Sequence, residues 1–171
     1  KTGEMYWHYK HKMGAVTTYC CGPNNRGVAV ADDKVFLATL DAKVVALDAK
    51  TGSVLWETQV GEPEKGYSET MAPTVVNGKV LIGNGGTETG PARGYVTAYD
   101  AETGAQVWRF YIVPGNPADG FENATMKMAA KTWNGEWWKW GGGGTVWDSI
   151  VFDPELDLVY IGVGNGSPRN Q

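Results

Sequence analysis

Long apolar runs are missing from this sequence. The longest, such as LVYIGVG at positions 158–164, are far shorter than the roughly 20 residues that a membrane-spanning helix needs. No stretch joins a basic, an apolar and a small-residue region as a secretory signal peptide does. We therefore expect no transmembrane segment and no export signal within these residues.

An excess of positive charge is also missing. The chain carries 15 Lys and Arg against 19 Asp and Glu, a formal net charge of −4, with the two signs interspersed. This pattern lacks the basic footprint of proteins that bind nucleic acid or anionic membranes. The 42% hydrophobic and 20% charged content is that of an ordinary soluble globular protein. We expect a small-molecule partner and no nucleic acid.

Cysteine is limited to two neighbouring residues, Cys20 and Cys21. Their Cα atoms are about 3.8 Å apart, below the usual disulfide minimum of about 4.4 Å, so a bond between them would close a strained ring. Such a ring adds little stability and persists only in an oxidising compartment, but it offers a flat, polarizable surface. Two free buried thiols remain an alternative. A zinc site with His8 and His11 is disfavoured because adjacent thiolates are badly placed to share one metal.

Helical periodicity is scarce as well. The segment FENATMKMAAKTW, residues 121–133, is the one stretch that suits a helical turn or two, and we interpret it as an inserted loop. The sequence therefore predicts an all-β chain.

One pattern recurs three times, at intervals of about 50 residues. The copies TGEMYW, TGSVLW and TGAQVW begin at Thr2, Thr51 and Thr103, and the last two extend backwards into VVALDAKTGSVLW and VTAYDAETGAQVW. Repeats of about 40 to 50 residues built from short strands are typical of a β-propeller, whose blades bury their faces against their neighbours. We predict about three blades, incomplete at both ends.

Each repeat has its own turn and its own tryptophan. Asp48 and Asp100, each followed closely by Thr-Gly, predict tight turns between strands. The tryptophans that close the copies are predicted to lie between blades, because a large ring covers a face that an isolated blade exposes. These tryptophans are Trp7, Trp56 and Trp108.

Two glycine-rich segments break the repeat. Lys34 to Asp48 spans 14 residues and Lys79 to Asp100 spans 21, so the second unit has 7 extra residues, which carry GGTETGPARG. This insertion places Glu88 between glycines, where repeat geometry requires no carboxylate. Glycine lets a ligand approach the backbone closely, so the segment is either a binding loop or a plain turn.

The second segment is GGGGTVWDS, residues 141–149. Four consecutive glycines contribute no side-chain contacts and cost backbone entropy, so we expect that something other than packing needs the space. A phosphate loop is not indicated, since neither a Walker pattern nor a G-x-G-x-x-G fingerprint stands between a strand and a helix.

Taken together, these features resemble the quinoprotein alcohol dehydrogenases, periplasmic propeller enzymes that use pyrroloquinoline quinone (PQQ). The resemblance is carried, in the family's order, by CCGPNNRG, SETMAP, GNGGTE, DAETGAQVWRF, GGGGTVWDS and GVGNGSP. The spellings GGGGTVWDS and GNGSP resemble most the quinohaemoprotein branch, which carries a separate cytochrome domain further along the chain. The resemblance implies that residues 1–171 are a partial PQQ-binding domain, truncated at both ends, of an eight-bladed β-propeller.

The resemblance also implies cofactor-binding roles by position. The planar quinone would lie between the indole of Trp147 and a disulfide ring formed by Cys20 and Cys21. Arg26 would bind a cofactor carboxylate with its guanidinium fork. The remaining cofactor contacts would come from Thr70, Gly85, Gly86, Thr87 and Thr145.

Metal ligands are implied at Glu88 and Asn165, which are hard oxygen donors suited to Ca²⁺. The metal would polarise a quinone carbonyl while a base takes the alcohol proton and hydride passes to the cofactor. In the family this base is an Asp further along the chain, so no catalytic residue is assigned here. A lanthanide in place of Ca²⁺ and a haem c in a further domain both stay open.

Two departures from the family pattern concern the substrate pocket. The loop GGTETGPARG is one residue longer than usual, which could displace Glu88 relative to the metal. Arg169 stands where family members often carry an aromatic residue. Neither departure removes a ligand.

The resemblance therefore predicts a periplasmic, PQQ- and Ca²⁺-dependent dehydrogenase that oxidises primary alcohols to aldehydes and passes electrons to a cytochrome. One alternative is a non-catalytic propeller that serves as a protein-binding scaffold, which would have no use for Glu88, Trp147 and Asn165 together with the paired cysteines. Another is a related quinoprotein that oxidises sugars or polymeric alcohols. The paired cysteines favour the alcohol branch.

Overall fold

The computed structural model describes residues 2–14, 22–86 and 91–167. Predictions made for Cys20, Cys21, Thr87, Glu88 and Arg169 lie outside the described residues.

The described residues form three antiparallel sheets, of four, four and two strands. Within each sheet, strands that follow one another in the chain are also neighbours in space. The first sheet contains β1 (Val28–Ala31), β2 (Lys34–Thr39), β3 (Lys43–Asp48) and β4 (Val54–Gln59). The second contains β5 (Thr74–Val76), β6 (Lys79–Ile82), β7 (Tyr95–Asp100) and β8 (Gln106–Tyr111). The third contains β9 (Ile150–Asp153) and β10 (Leu158–Ile161). The all-β prediction is confirmed.

The two four-stranded sheets repeat one another in detail. Ala46 pairs with Trp56 in the first sheet, and the strand register shifts immediately after Ala46. Ala98 pairs with Trp108 in the second sheet, and the same shift follows Ala98. Each sequence repeat therefore corresponds to one four-stranded blade.

The Asp and Thr-Gly residues form the predicted turns. Asp48 Oδ1 accepts hydrogen bonds from the backbone N and Oγ1 of Thr51 at 2.7 and 2.9 Å. Asp100 Oδ1 accepts the same pair from Thr103, both at 2.8 Å. The glycine after each threonine has a φ of 72°, which a residue with a Cβ adopts only at a cost. These donors lower the pKa of both carboxyl groups.

Two of the repeat tryptophans dock on the Thr-Gly turn of the four-stranded sheet that follows them in the chain. Trp7 Nε1 donates to the carbonyl of Ala49 at 2.9 Å, and Trp56 Nε1 donates to the carbonyl of Ala101 at 3.1 Å. Each indole lies against the turn glycine, where an added Cβ would come 2.6 Å from ring atom Cε3. Trp108 differs, because it is 39% exposed.

A short helix interrupts the strands. Helix α1 (Ala124–Ala129) lies inside the segment for which a helical turn was predicted. Asn123 immediately precedes the helix, and its side chain accepts a hydrogen bond from the backbone N of Met126 at 2.9 Å and so caps the helix. None of the helices in the described ranges has the length and apolar character needed to cross a membrane.

The first strands of the three sheets lie side by side. β1 contacts β5, and β5 contacts β9. Thr74 Oγ1 donates to the carbonyl of Ile150 at 3.2 Å and ties the second sheet to the third. The core between the sheets is apolar, and burial of each large member contributes about 1.5–3 kcal/mol. Its members include Phe36, Val44, Val80, Ile82 and Val146. The segments leading into β1, β5 and β9 are thereby brought together.

Candidate functional site

Arg26 and Thr70 join the segments that lead into β1 and β5. The backbone N of Arg26 donates to the carbonyl of Thr70 at 3.0 Å. The guanidinium Nη1 donates to Thr70 Oγ1 at 2.6 Å and to the Thr70 carbonyl at 3.3 Å. Because both backbone and side chain of Arg26 are held by one residue, the guanidinium is oriented while its side chain stays about one-third exposed.

Trp147 adds the segment that leads into β9. The Cζ atom of Arg26 lies 4.9 Å from the centroid of the Trp147 ring, within the range of a cation–π contact. Trp147 is 42% exposed, so part of its large apolar ring is open to solvent. Three residues predicted to contact the cofactor, Arg26, Thr70 and Trp147, thus converge from three sheets.

Asp148 is a neighbour that sequence reasoning did not single out. Its Oδ2 lies 4.0 Å from Nε of Arg26, and the two side chains are 45% and 32% exposed. An ion pair this long and this exposed contributes little to stability. The only sequence signal for Asp148 is its position next to Trp147 in the motif GGGGTVWDS.

The GVGNGSP segment packs beside Trp147. Gly164 N donates to the carbonyl of Thr145 at 2.8 Å, and a Cβ on Gly164 would come 3.1 Å from Cδ1 of Trp147. Gly144 N donates to the carbonyl of Asn165 at 2.9 Å. Thr145 is 1% exposed, whereas Asn165 is exposed. The structure therefore brings Asn165 close to two of the predicted cofactor contacts.

Gly85 and Gly86 lie against the segment that contains Thr70. Gly85 N donates to the carbonyl of Ser68 at 2.9 Å. Gly86 has a φ of 121°, and a Cβ there would overlap the carbonyl oxygen of Gly66. The backbone at Gly86, two residues before Glu88, therefore lies directly against the backbone at Gly66.

The expectation about the four glycines at 141–144 is wrong. All four are buried with positive φ, and an added Cβ would overlap neighbouring protein atoms at each position. The space beside Gly141 is taken by the carbonyls of Pro91 and Ala92, and that beside Gly143 by the backbone of Asn165. Close packing against remote parts of the chain accounts for the run: backbone at Gly141 and Gly143, and the side chain of Val113 at Gly142 and Gly144.

His11 is engaged away from this site. Its Nε2 lies 3.1 Å from both carboxylate oxygens of Asp41, and its Nδ1 lies 3.0 Å from the hydroxyl of Tyr9. Both ring nitrogens therefore have partners, which further disfavours a zinc site that includes His11. Across residues 2–14, 22–86 and 91–167 no three His, Cys, Asp or Glu side chains are grouped to hold a metal ion.

The sequence model of one protein family, described as the PQQ glucose/ethanol/alcohol dehydrogenase β-propeller domain, matches residues 1–170. The chain belongs to this PQQ β-propeller family. It is 56% identical to the quinohemoprotein alcohol dehydrogenase ADH IIB of Pseudomonas putida, with 99% of this chain and 25% of that protein covered. The chain spans about a quarter of the length of the curated relatives it matches.

Two solved structures of dehydrogenases superpose closely on this chain. The quinohemoprotein alcohol dehydrogenase from Comamonas testosteroni matches with a TM-score of 0.83 and 53% identity, over 87% of this chain and 22% of that chain. A europium-containing methanol dehydrogenase matches with a TM-score of 0.82 and 40% identity, over 94% of this chain and 30% of that chain. The resemblance and the propeller fold are confirmed, while the roles of single residues stay predictions.

Proposed function

We propose that the full-length protein is a PQQ-dependent alcohol dehydrogenase and that this chain supplies part of its cofactor site. The observation that carries the proposal is the convergence of Arg26, Thr70 and Trp147 from three sheets. The Thr70 hydroxyl lies 2.6 Å from the guanidinium, and the indole centroid lies 4.9 Å from Arg26 Cζ. Membership of the PQQ family and the names of the relatives support the same activity.

The residues present suit the chemistry of PQQ, a planar molecule that carries carboxylates. The guanidinium of Arg26 binds a carboxylate through its fixed fork of donors. The partly exposed ring of Trp147 would offer a stacking surface, and Thr70 holds the guanidinium in orientation. Cys20 and Cys21 would cover the opposite face of the ring as a disulfide, and the remaining contacts would come from Gly85, Gly86, Thr87 and Thr145.

The chemistry of the bound cofactor is acceptance of hydride from the alcohol carbon. Glu88 and Asn165 would hold a divalent or trivalent cation, for which carboxylate and amide oxygens are suitable ligands. We propose Ca²⁺, with a lanthanide as the alternative that the europium-containing relative supports. The general base is an Asp further along the chain.

The proposed substrates are primary alcohols, which leave as aldehydes. The relatives named quinohemoprotein alcohol dehydrogenases support a haem c or a cytochrome as the electron acceptor. We also propose a periplasmic location, because the proposed disulfide between Cys20 and Cys21 would persist only in an oxidising compartment.

Reconstitution of the full-length protein tests this function. We expect the purified protein to take up PQQ in the presence of Ca²⁺ or a lanthanide, to show quinone absorbance and to reduce a dye when a primary alcohol is added. Trp147→Ala should weaken PQQ binding by roughly 10- to 100-fold, because stacking on an aromatic ring is lost. Trp140→Ala, which removes another exposed indole with no predicted role, should bind as wild type does. A wild-type protein that takes up no PQQ with either metal would overturn the proposal.

A further inference from the structure

Glu69 is a buried carboxyl group that the proposed function does not use. It lies between Ser68 and Thr70 and is 1% exposed. Neither of its carboxyl oxygens has a hydrogen-bond partner among the described residues. Buried polar groups in proteins are nearly always hydrogen-bonded, so an unpartnered carboxyl this close to Thr70 requires a physical account.

Among the described residues, the one positive charge that acts on Glu69 is already engaged by other groups. This cation is Arg109 on β8, and its guanidinium donates no hydrogen bond to Glu69. Its guanidinium donates to Thr97 Oγ1 at 2.8 Å and to the carbonyl of Val60 at 2.9 Å, and its Cζ lies 4.0 Å from the centroid of the Tyr95 ring. The guanidinium therefore cannot turn to Glu69 without losing these contacts.

The other titratable groups that face Glu69 are Tyr95 and Tyr99 on β7. Burial raises the pKa of both phenols, so neither is a source of compensating charge. Burial also raises the pKa of the Glu69 carboxyl well above its usual value, and Arg109 offsets only part of this effect. Burial therefore favours the neutral form of Glu69 in the folded protein.

The backbone on both sides of Glu69 is fixed. Gly85 N donates to the carbonyl of Ser68 at 2.9 Å, and Arg26 N donates to the carbonyl of Thr70 at 3.0 Å. An ionised Glu69 is stabilised by water, but a movement that brings its carboxylate to water strains one of these two bonds. On the Thr70 side, the same movement shifts the hydroxyl that orients the Arg26 guanidinium.

We propose that Glu69 is a positioning residue that holds Thr70 against Arg26 as the neutral acid and weakens this contact when it loses its proton. The consequence for PQQ affinity rests on the proposed function. The effect of Glu69 on the contact between Thr70 and Arg26 does not rest on the proposed function, because that contact is present in the protein without cofactor.

The direction of the pH dependence follows from linkage. The unfolded carboxyl gives up its proton near pH 4.3, whereas the folded one keeps it to a much higher pH. The stabilising contribution is therefore complete below the unfolded pKa and is lost as the pH rises towards the folded pKa. Across this interval the folding equilibrium constant of wild type falls by up to about tenfold per pH unit relative to a variant with no carboxyl at this position.

The test compares full-length wild type, Glu69→Gln and Glu64→Gln without cofactor between pH 5 and pH 9. Glu64→Gln removes an exposed carboxyl from the preceding turn and is the matched control. As the pH rises, denaturant unfolding should show the folding equilibrium constant of Glu69→Gln increasing relative to that of wild type by up to about tenfold per pH unit. The folding equilibrium constant of Glu64→Gln should follow that of wild type. Parallel curves for wild type and Glu69→Gln would overturn the proposal.

Hydrogen exchange separates positioning from a purely structural role. The backbone N–H of Arg26, which donates to Thr70, should be less protected in wild type than in Glu69→Gln at pH 9 and equally protected at pH 5. If the stabilities diverge but this protection does not, Glu69 is a core acid and the positioning role is wrong. Should Glu69→Gln fail to fold, Glu69→Met replaces it in both measurements.

PQQ titration adds a third measurement with a distinct outcome. Wild type should lose PQQ affinity relative to Glu69→Gln between pH 6 and pH 9, in step with the exchange of the Arg26 amide. A wild-type protein that binds no PQQ at any pH would overturn the proposed function alone, because the unfolding and exchange measurements still decide the role of Glu69.

Discussion

The indole of Trp56 lies directly on Gly104, so closely that a Cβ at Gly104 would come 2.6 Å from ring atom Cε3. The same indole donates its Nε1 hydrogen to the carbonyl of Ala101 at 3.1 Å. Through these contacts the outer strand of the first blade is joined to a turn of the second. The interface between the blades therefore depends on the absence of a side chain at one turn position.

Gly104→Ala is expected to lower the free energy of unfolding by about 2–5 kcal/mol, since left-handed backbone strain and overlap with the indole both contribute. Gly78→Ala is the matched control, because Gly78 has the same φ of 72° but no atom within 4 Å of an added Cβ. The control should lose only about 1–2 kcal/mol. Denaturant unfolding of the full-length protein measures both losses, and equal losses would show that the Trp56 contact contributes nothing.

Gly143→Ala is expected to displace the segment that contains Asn165, because an added Cβ would overlap the Asn165 carbonyl oxygen. If Asn165 is a metal ligand, affinity of the full-length protein for Ca²⁺ should fall roughly tenfold or more, or about 1.4 kcal/mol. Gly166→Ala is the control, since nothing lies within 4 Å of its added Cβ. Calorimetric titration compares the two. If Gly143→Ala leaves the affinity for Ca²⁺ unchanged, Asn165 is not a ligand of the metal.

Asp41 holds the N-terminal segment, residues 2–14, on the first sheet. It accepts a hydrogen bond from Gly14 N at 2.8 Å, and its oxygens lie 3.1 Å from His11 Nε2. Burial acts to raise the pKa of this carboxyl, but hydrogen bonds from Thr39, Gly14 and His11 outweigh burial and the pKa lies below its usual value. The contribution of Asp41 to stability is thus present above the unfolded pKa of about 3.9 and is lost as the pH falls through the lower folded pKa.

Asp41→Asn should lower the free energy of unfolding by about 1–3 kcal/mol at pH 7, because a buried carboxylate loses charge-assisted hydrogen bonds. As the pH falls from 7 to 2, this variant should also lose less stability than wild type, because it has no carboxylate at position 41 to protonate. Unfolding measured from pH 2 to pH 7 compares this variant with wild type and with Asp119→Asn, an exposed carboxyl that should behave as wild type. An acid-side loss that persists unchanged in Asp41→Asn would contradict this assignment.

Much of the fold could be predicted because its signals are local. Asp48 and Thr51 lie three residues apart and form their turn by themselves, and Asn123 caps a helix that begins at the next residue. Such contacts depend on neighbours in the chain, so their residue types and spacing are sufficient to predict them.

The four glycines at 141–144 show where prediction from sequence failed. A run of glycine indicates a close approach, but the approaching atoms belong to residues that are remote in the chain: the backbone of Pro91, Ala92 and Asn165 and the side chain of Val113. A glycine run cannot distinguish a bound ligand from a distant part of the chain, because the close approach of either one requires only that no Cβ be present.

By itself, the sequence determined the strand and turn repeat, the type of blade and the PQQ family, since these depend on residue spacing and on motifs read along the chain. Only the tertiary structure decided that Arg26, Thr70 and Trp147 converge and that Glu69 is buried beside them, its carboxyl oxygens without a hydrogen-bond partner in the part of the chain that the structure describes. The physical reason is that convergence and desolvation depend on how separate sheets pack against one another. Neither is a property of any single segment.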